Sequence, residues 1–155
     1  MKTFHILTFA LASLVSTASL SAHCQVPCGI YGDEMKFGEL EQHIETIAKA
    51  SKSIREIAAK DTLTAQDQQQ LIRWTNNKES HAQKIIDETA NYFLAQRIKP
   101  GADHYADKLE VLHHIIVYSM KSKQSVEDEP VETLSKKVAA FKELYLDHSH
   151  EHHTH

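Results

Sequence analysis

From Met35 onward the chain repeats apolar residues at intervals of three, four and seven, with charged and amide side chains between them. Leu40, Ile44, Ile47, Ile54 and Ile57 mark one face of a first helix over about 35–60, because a period of 3.6 residues brings these positions back to the same side. The stretch KDTLTAQD then turns the chain, with Thr64 and Asp67 in a capping-box pattern. A second, long helix carries Leu71, Ala82, Ile85, Thr89 and Phe93 and stops at IKPGAD, where Pro100 and Gly101 break the period. A third, over about 103–121, uses Ala106, Leu109, Leu112, Ile116 and Met120. A fourth opens at Pro130, whose missing N–H is harmless in a first turn, and uses Leu134, Val138, Phe141 and Leu144 or Tyr145. No stretch reads as a strand, and the links are short. The pattern therefore predicts an all-α fold, an antiparallel four-helix bundle.

The aromatic residues at helical spacing, Trp74, Phe93, Tyr105 and Phe141, read as core or interface. His113 and His114 lie in an apolar helix without a carboxylate or histidine at metal spacing, and read as structural or interfacial.

The first residues break the helical pattern. Lys2 precedes an uncharged run, TFHILTFALASLVSTASLSA, which predicts a secretory signal peptide over 1–22 and export to the periplasm or beyond. A membrane anchor is the alternative, but the run is diluted by Ser and Thr and sits near the lower length limit for spanning. No other segment is suited to cross a bilayer, so no stable membrane association is expected after cleavage. A cut after Ala22 makes His23 the new N-terminus; cuts after Ala18 or Ser21 have better small-residue pairs. LSAHC is not a lipoprotein signal, which needs cysteine directly after the small residue.

At 155 residues, 41% hydrophobic and 25% charged, the chain has material for one core. The domain is placed at 23–147, followed by a histidine-rich tail over 148–155. A formal charge of -4 gives no reason to expect nucleic acid as a partner.

Chemistry concentrates in that tail and in the segment HCQVPCGIY, which holds the chain's two cysteines, Cys24 and Cys28. No Ser-His-Asp, phosphate-loop or dinucleotide pattern is present. In an exported protein a disulfide is one reading, although a bridge closing so short a loop stabilises little. A metal site is the other. If the chain begins at His23, that residue offers an amine and an imidazole, the cysteines offer two thiolates, and the Cys24 amide can complete the set. Two nitrogens and two sulfurs near a plane, with an axial imidazole, favour Ni(II) or Cu(II) over tetrahedral zinc. Pro27 and Gly29 would turn Cys28 back toward Cys24. Anionic thiolate and amide donors also stabilise a higher oxidation state, as a redox centre requires and a structural metal does not.

HCQVPCGIY resembles the hook of the nickel superoxide dismutases, whose mature N-terminus reads His-Cys-x-x-Pro-Cys-Gly-x-Tyr. Patches outside it, Ile72-Arg73 with Thr75 and Lys78-Glu79, add a little. The resemblance implies a four-helix bundle assembled as a homohexamer, one nickel ion per subunit, and conversion of two superoxide radicals and two protons to dioxygen and hydrogen peroxide through a Ni(II)/Ni(III) cycle. It places nickel on the amine and imidazole of His23, the amide and thiolate of Cys24 and the thiolate of Cys28. It matches Pro27 to a cis hook proline and Tyr31 to the tyrosine that guards superoxide's approach. Glu39 falls where the family has the glutamate that orients the axial imidazole, as ligating histidines commonly require. Two positions depart from the pattern: Gln25 stands where Asp is frequent, and His81 where an arginine usually holds the imidazole. Export by a signal peptide, which would make signal peptidase the enzyme that creates the ligand, is a further departure.

An anionic substrate and an acidic protein lead to the expectation that lysines gather at the hook's mouth, with Lys36 and Lys99 as starting guesses. Copper would compete for the same donors. The rival function is an exported nickel- or copper-binding storage or delivery protein without turnover, motivated by the tail histidines; a metal-free, disulfide-closed bundle is the third reading.

Overall fold

The structure is a computed structural model and describes residues 33–146. The signal peptide over 1–22, the hook segment HCQVPCGIY over 23–31 and the histidine-rich tail over 148–155 lie outside the described residues. Among those described there are four helices and no strand, as the periodicity predicts: α1 (Glu34–Ala58), α2 (Ala65–Glu88), α3 (Tyr105–Gln124) and α4 (Asp128–Leu146), with a π-helical segment, Thr89–Arg97, continuing α2. The helices run up and down in sequence order. The start of α1, the π segment and the end of α4 therefore meet at one end of the bundle.

Helix α1 turns Phe37, Leu40, Ile44 and Ile47 inward, each buried. They meet Ala82 and Ile85 of α2, Leu112 and Ile115 of α3, and Val131, Leu134, Val138 and Phe141 of α4 in one core. At the hook end this core is aromatic: Phe37, Phe93 and Phe141 pack pairwise with ring centroids 4.9–5.6 Å apart.

The far end is closed by caps. Thr64 and Asp67 form the expected capping box, with Asp67 N donating to Thr64 Oγ1 at 3.1 Å and Thr64 N to Asp67 Oδ2 at 3.0 Å. Lys60 Nζ reaches Asp67 at 2.5 Å and, with Thr64, holds its carboxyl at about 2. Arg55 donates to both oxygens of Asp128 at 2.7 and 2.8 Å and to the Val126 carbonyl, tying the end of α1 to the start of α4. Buried Lys78 donates to the carbonyls of Ser122, Lys123 and Ser125 at 2.7, 2.6 and 2.9 Å. Those are oxygens that the last turn of α3 cannot satisfy by itself.

Several expectations need correction. Helix α1 stops at Ala58, short of Lys60. Helix α3 begins at Tyr105, after Gly101 (φ 82°) and His104 (φ 53°) have turned the chain through left-handed conformations. Pro130 is not the first residue of α4 but lies within its first turn, where its absent N–H is still no loss. The inward face of α3 is Lys108, Leu112, Ile115, Ser119 and Ser122, whereas Ala106 and Met120 face solvent. Polar residues on the true inner face hid it behind the more apolar row beside it.

The π segment was also not expected. Ile98 N donates to Phe93 O at 3.0 Å, five residues back. The wider turn lets consecutive residues Tyr92 and Phe93 both enter the core, at 1% and 0% exposure. Such segments are rare and frequent at functional sites.

Candidate metal centre

The ligands read from the sequence, His23, Cys24 and Cys28, together with Pro27 and Tyr31, lie outside the described residues. What the structure describes begins at Asp33, at the end of the bundle where α1 starts. Asp33, two residues beyond Tyr31, accepts hydrogen bonds from the hydroxyls of Tyr92 and Tyr145. Arg97 Nη2 lies 3.1 Å from Asp33 Oδ1 and donates to Tyr92 Oη at 2.8 Å. This contact spans five residues, a spacing that the π turn brings together. One carboxylate thus gathers groups from the π segment and α4 at the root of the hook. Burial and the Asp33 charge push both phenols above their ordinary range, so they remain hydroxyl donors at neutral pH.

Beside this hub, Lys36 is buried with Nζ 2.9 Å from Glu39 Oε2 and 3.2 Å from Glu88 Oε1. Burial alone would lower its pKa, but the two carboxylates outweigh burial and raise it. A cation neutralised twice is not a lure for an anion, so Lys36 does not play the part first guessed for it. Lys99 is exposed, just beyond Arg97. Exposed Lys84 lines a cleft of about 250 Å³ with Glu39, His43, Asp87, Glu88 and Asn91.

Glu39 and His81 stand on facing helices without a bond to each other. His81 Nδ1 instead lies 3.1 Å from His43 Nδ1, with the rings edge to face at 86°. That bond needs one protonated and one bare Nδ1, so the two rings cannot both be cationic while it holds. Burial lowers both imidazole pKa values, helped for His43 by His81 and Lys84 and for His81 by Lys84. His43 was missed from sequence. Its signal was its place four residues after Glu39, which puts both on one face of α1.

Among the described residues no group of three or more His, Cys, Asp or Glu side chains is placed to hold a metal. The thiolate and imidazole donors that the sequence offers a nickel ion, soft sulfur with nitrogen, lie outside the described residues.

The fold and the sequence together define a class, a four-helix bundle preceded in sequence by a histidine and two cysteines, His23, Cys24 and Cys28. The family model of the nickel-containing superoxide dismutases matches residues 18–149, and the chain belongs to that family. It is accordingly an oxidoreductase acting on superoxide. No curated protein and no solved structure matches the chain.

Proposed function

We propose that this protein dismutates superoxide at a nickel centre built on a processed N-terminus beginning at His23. The observation that carries the reading is the HCQVPCGIY segment inside the family match. The amine and imidazole of His23, the amide and thiolate of Cys24 and the thiolate of Cys28 hold one nickel ion per subunit. Bound there, nickel supplies the +2/+3 couple that lets superoxide be oxidised in one encounter and reduced in the next. Tyr31 screens the approach, and Pro27 sets the turn of the hook. Glu39, with one oxygen anchored on Lys36, orients the His23 imidazole. His81, neutral and bonded to His43, takes the position where the family commonly has a fixed cation. The Asp33 hub holds the hook's root against the bundle.

The working assembly is a homohexamer, and the leader over 1–22 sends the protein to the periplasm or outside the cell, with signal peptidase exposing His23. The test is N-terminal sequencing of exported protein together with nickel content and superoxide decay. A start at His23, one nickel per chain and fast decay are expected, and Cys24→Ser or Cys28→Ser should remove both metal and activity. A start at Ser19 or Ala22, or nickel-loaded protein that leaves superoxide untouched, sinks the proposal and favours storage without turnover.

A further inference from the structure

The dismutase reading uses His81 and leaves its partner His43 without a task of its own. The two rings come from facing helices, His43 from α1 and His81 from α2. Each has a core residue as its chain neighbour, Ile44 and Ala82, both buried in the same cluster. The packed core therefore fixes where the two side chains start, while the rings themselves stay partly exposed. Their Nδ1 atoms stand 3.1 Å apart. Two imidazole nitrogens at that separation, each about 2.0–2.1 Å from one shared ion, subtend about 95–100° at the metal. This is close to the right angle between neighbouring positions of a tetragonal site and narrower than the tetrahedral angle. Nitrogen donors in tetragonal geometry select Cu(II), which also binds most tightly among the divalent first-row ions. Next to the pair, the cleft of about 250 Å³ that His43 lines with Glu39, Lys84 and Asp87 has room for water ligands.

We propose that His43 and His81 form a chelating site for Cu(II), held through the two Nδ1 atoms, with water from the cleft completing the coordination plane. The site lies wholly within α1 and α2 and does not depend on the nickel reading. Without metal the pair shares one Nδ1–H; on binding, that ring takes its proton on Nε2 instead, so the ion keeps its +2 charge and no net proton is released. Each ring turns about its Cβ–Cγ bond, a soft torsion in histidine, to aim its lone pair at the common point. Glu39 acts on His43 as a nearby anion and favours a cation there, whereas the Lys84 ammonium acts on both rings and opposes it. With two protein donors rather than three, the copper is exchangeable and presents its water positions to the cleft.

The experiment uses the full chain with His23, Cys24, Cys28 and the five tail histidines replaced by serine, which removes the competing donors of both terminal segments. Cu(II) is titrated against glycine as competing chelator and read by electron paramagnetic resonance. One tetragonal Cu(II) with hyperfine splitting from two imidazole nitrogens is expected. His43→Gln or His81→Gln should each weaken binding by about tenfold or more, since either one removes the chelate, and Lys84→Gln should tighten it. Copper should raise the denaturant midpoint of the parent chain, as any ligand of the native state does, and leave those of the two glutamine variants unmoved. Unchanged copper affinity in either glutamine variant, or a parent midpoint that copper does not shift, overturns the inference. Should the glutamine variants lose helical circular dichroism, Lys84→Gln decides: failure to tighten copper binding overturns it as well.

Discussion

The two ends of the bundle solve different problems with similar residues. At the far end, Thr64, Lys78 and Arg55 satisfy helix termini and lock α1 to α4 and α2 to α3. Lys78 donates there to three neutral carbonyls, with the Glu79 carboxylate farther off at 3.9 Å, and burial lowers its pKa. At the other end Lys36 and Arg97 are matched to Glu39, Glu88 and Asp33, so both of these half-hidden cations are met by carboxylates rather than by carbonyl oxygens. Closing off the helices at the far end draws on carbonyl acceptors together with the Arg55–Asp128 and Lys60–Asp67 ion pairs. Around Asp33 and Lys36, where the chain enters the first helix, carboxylates and cations instead balance one another.

That contrast can be broken in order of expected effect. Asp33→Ala should be the most damaging, because it strips the partly buried Arg97 of its carboxylate partner and the Tyr92 and Tyr145 hydroxyls of their acceptor. A loss of about 3 kcal/mol in denaturant unfolding is expected, together with faster nickel release from the loaded protein; unchanged nickel release would show that the hub supports the bundle alone. Lys78→Met should cost about 2 kcal/mol by leaving three carbonyls short of a donor, with activity per bound nickel unaltered. Thr64→Ala should cost about 1 kcal/mol, the usual worth of an N-cap, with no change in metal retention.

The smallest effect is a slope. His43 and His81 have folded pKa values below the ordinary imidazole value, so the unfolded chain binds more protons and stability rises with pH across that interval. The stabilisation is fully present above about 6.5, the unperturbed value, and is lost as pH falls through the folded values. Denaturant midpoints between pH 7.5 and 5 should show this, and His43→Gln should flatten the slope. Below that range Asp67 continues the trend, since its lowered carboxyl value near 2 means stability is lost as pH drops through it from about 4.

Much of this was legible in the sequence. The α1 stripe, the Thr64–Asp67 cap and the break at Pro100-Gly101 are local signals, each written within a few residues. The family was legible for the same reason, because HCQVPCGIY is contiguous and the family match over 18–149 contains it; the hook's own donors lie outside the described residues. The cluster around Asp33 was not legible. Asp33 and Tyr145 meet across 112 positions, and nothing in local periodicity joins them. Lys36 and Lys78 look like ordinary surface lysines until their partners are seen. Ser119 and Ser122 disguised the inner face of α3, so an apolar count chose Met120, which is 42% exposed. His43 needed its partner on another helix to stand out from its neighbours on α1.

The π turn makes the cluster of Asp33, Tyr92 and Arg97 dependent on residue count as well as on residue type. A π turn holds more residues than an α turn, and each residue lost from it rotates all that follows by about 100° if ordinary α geometry takes over. Deleting exposed Ala95 would leave the core composition untouched, yet it would swing Arg97 away from Asp33 and Tyr92. The segment between Glu88 and Ile98 should therefore tolerate many substitutions and almost no change in length.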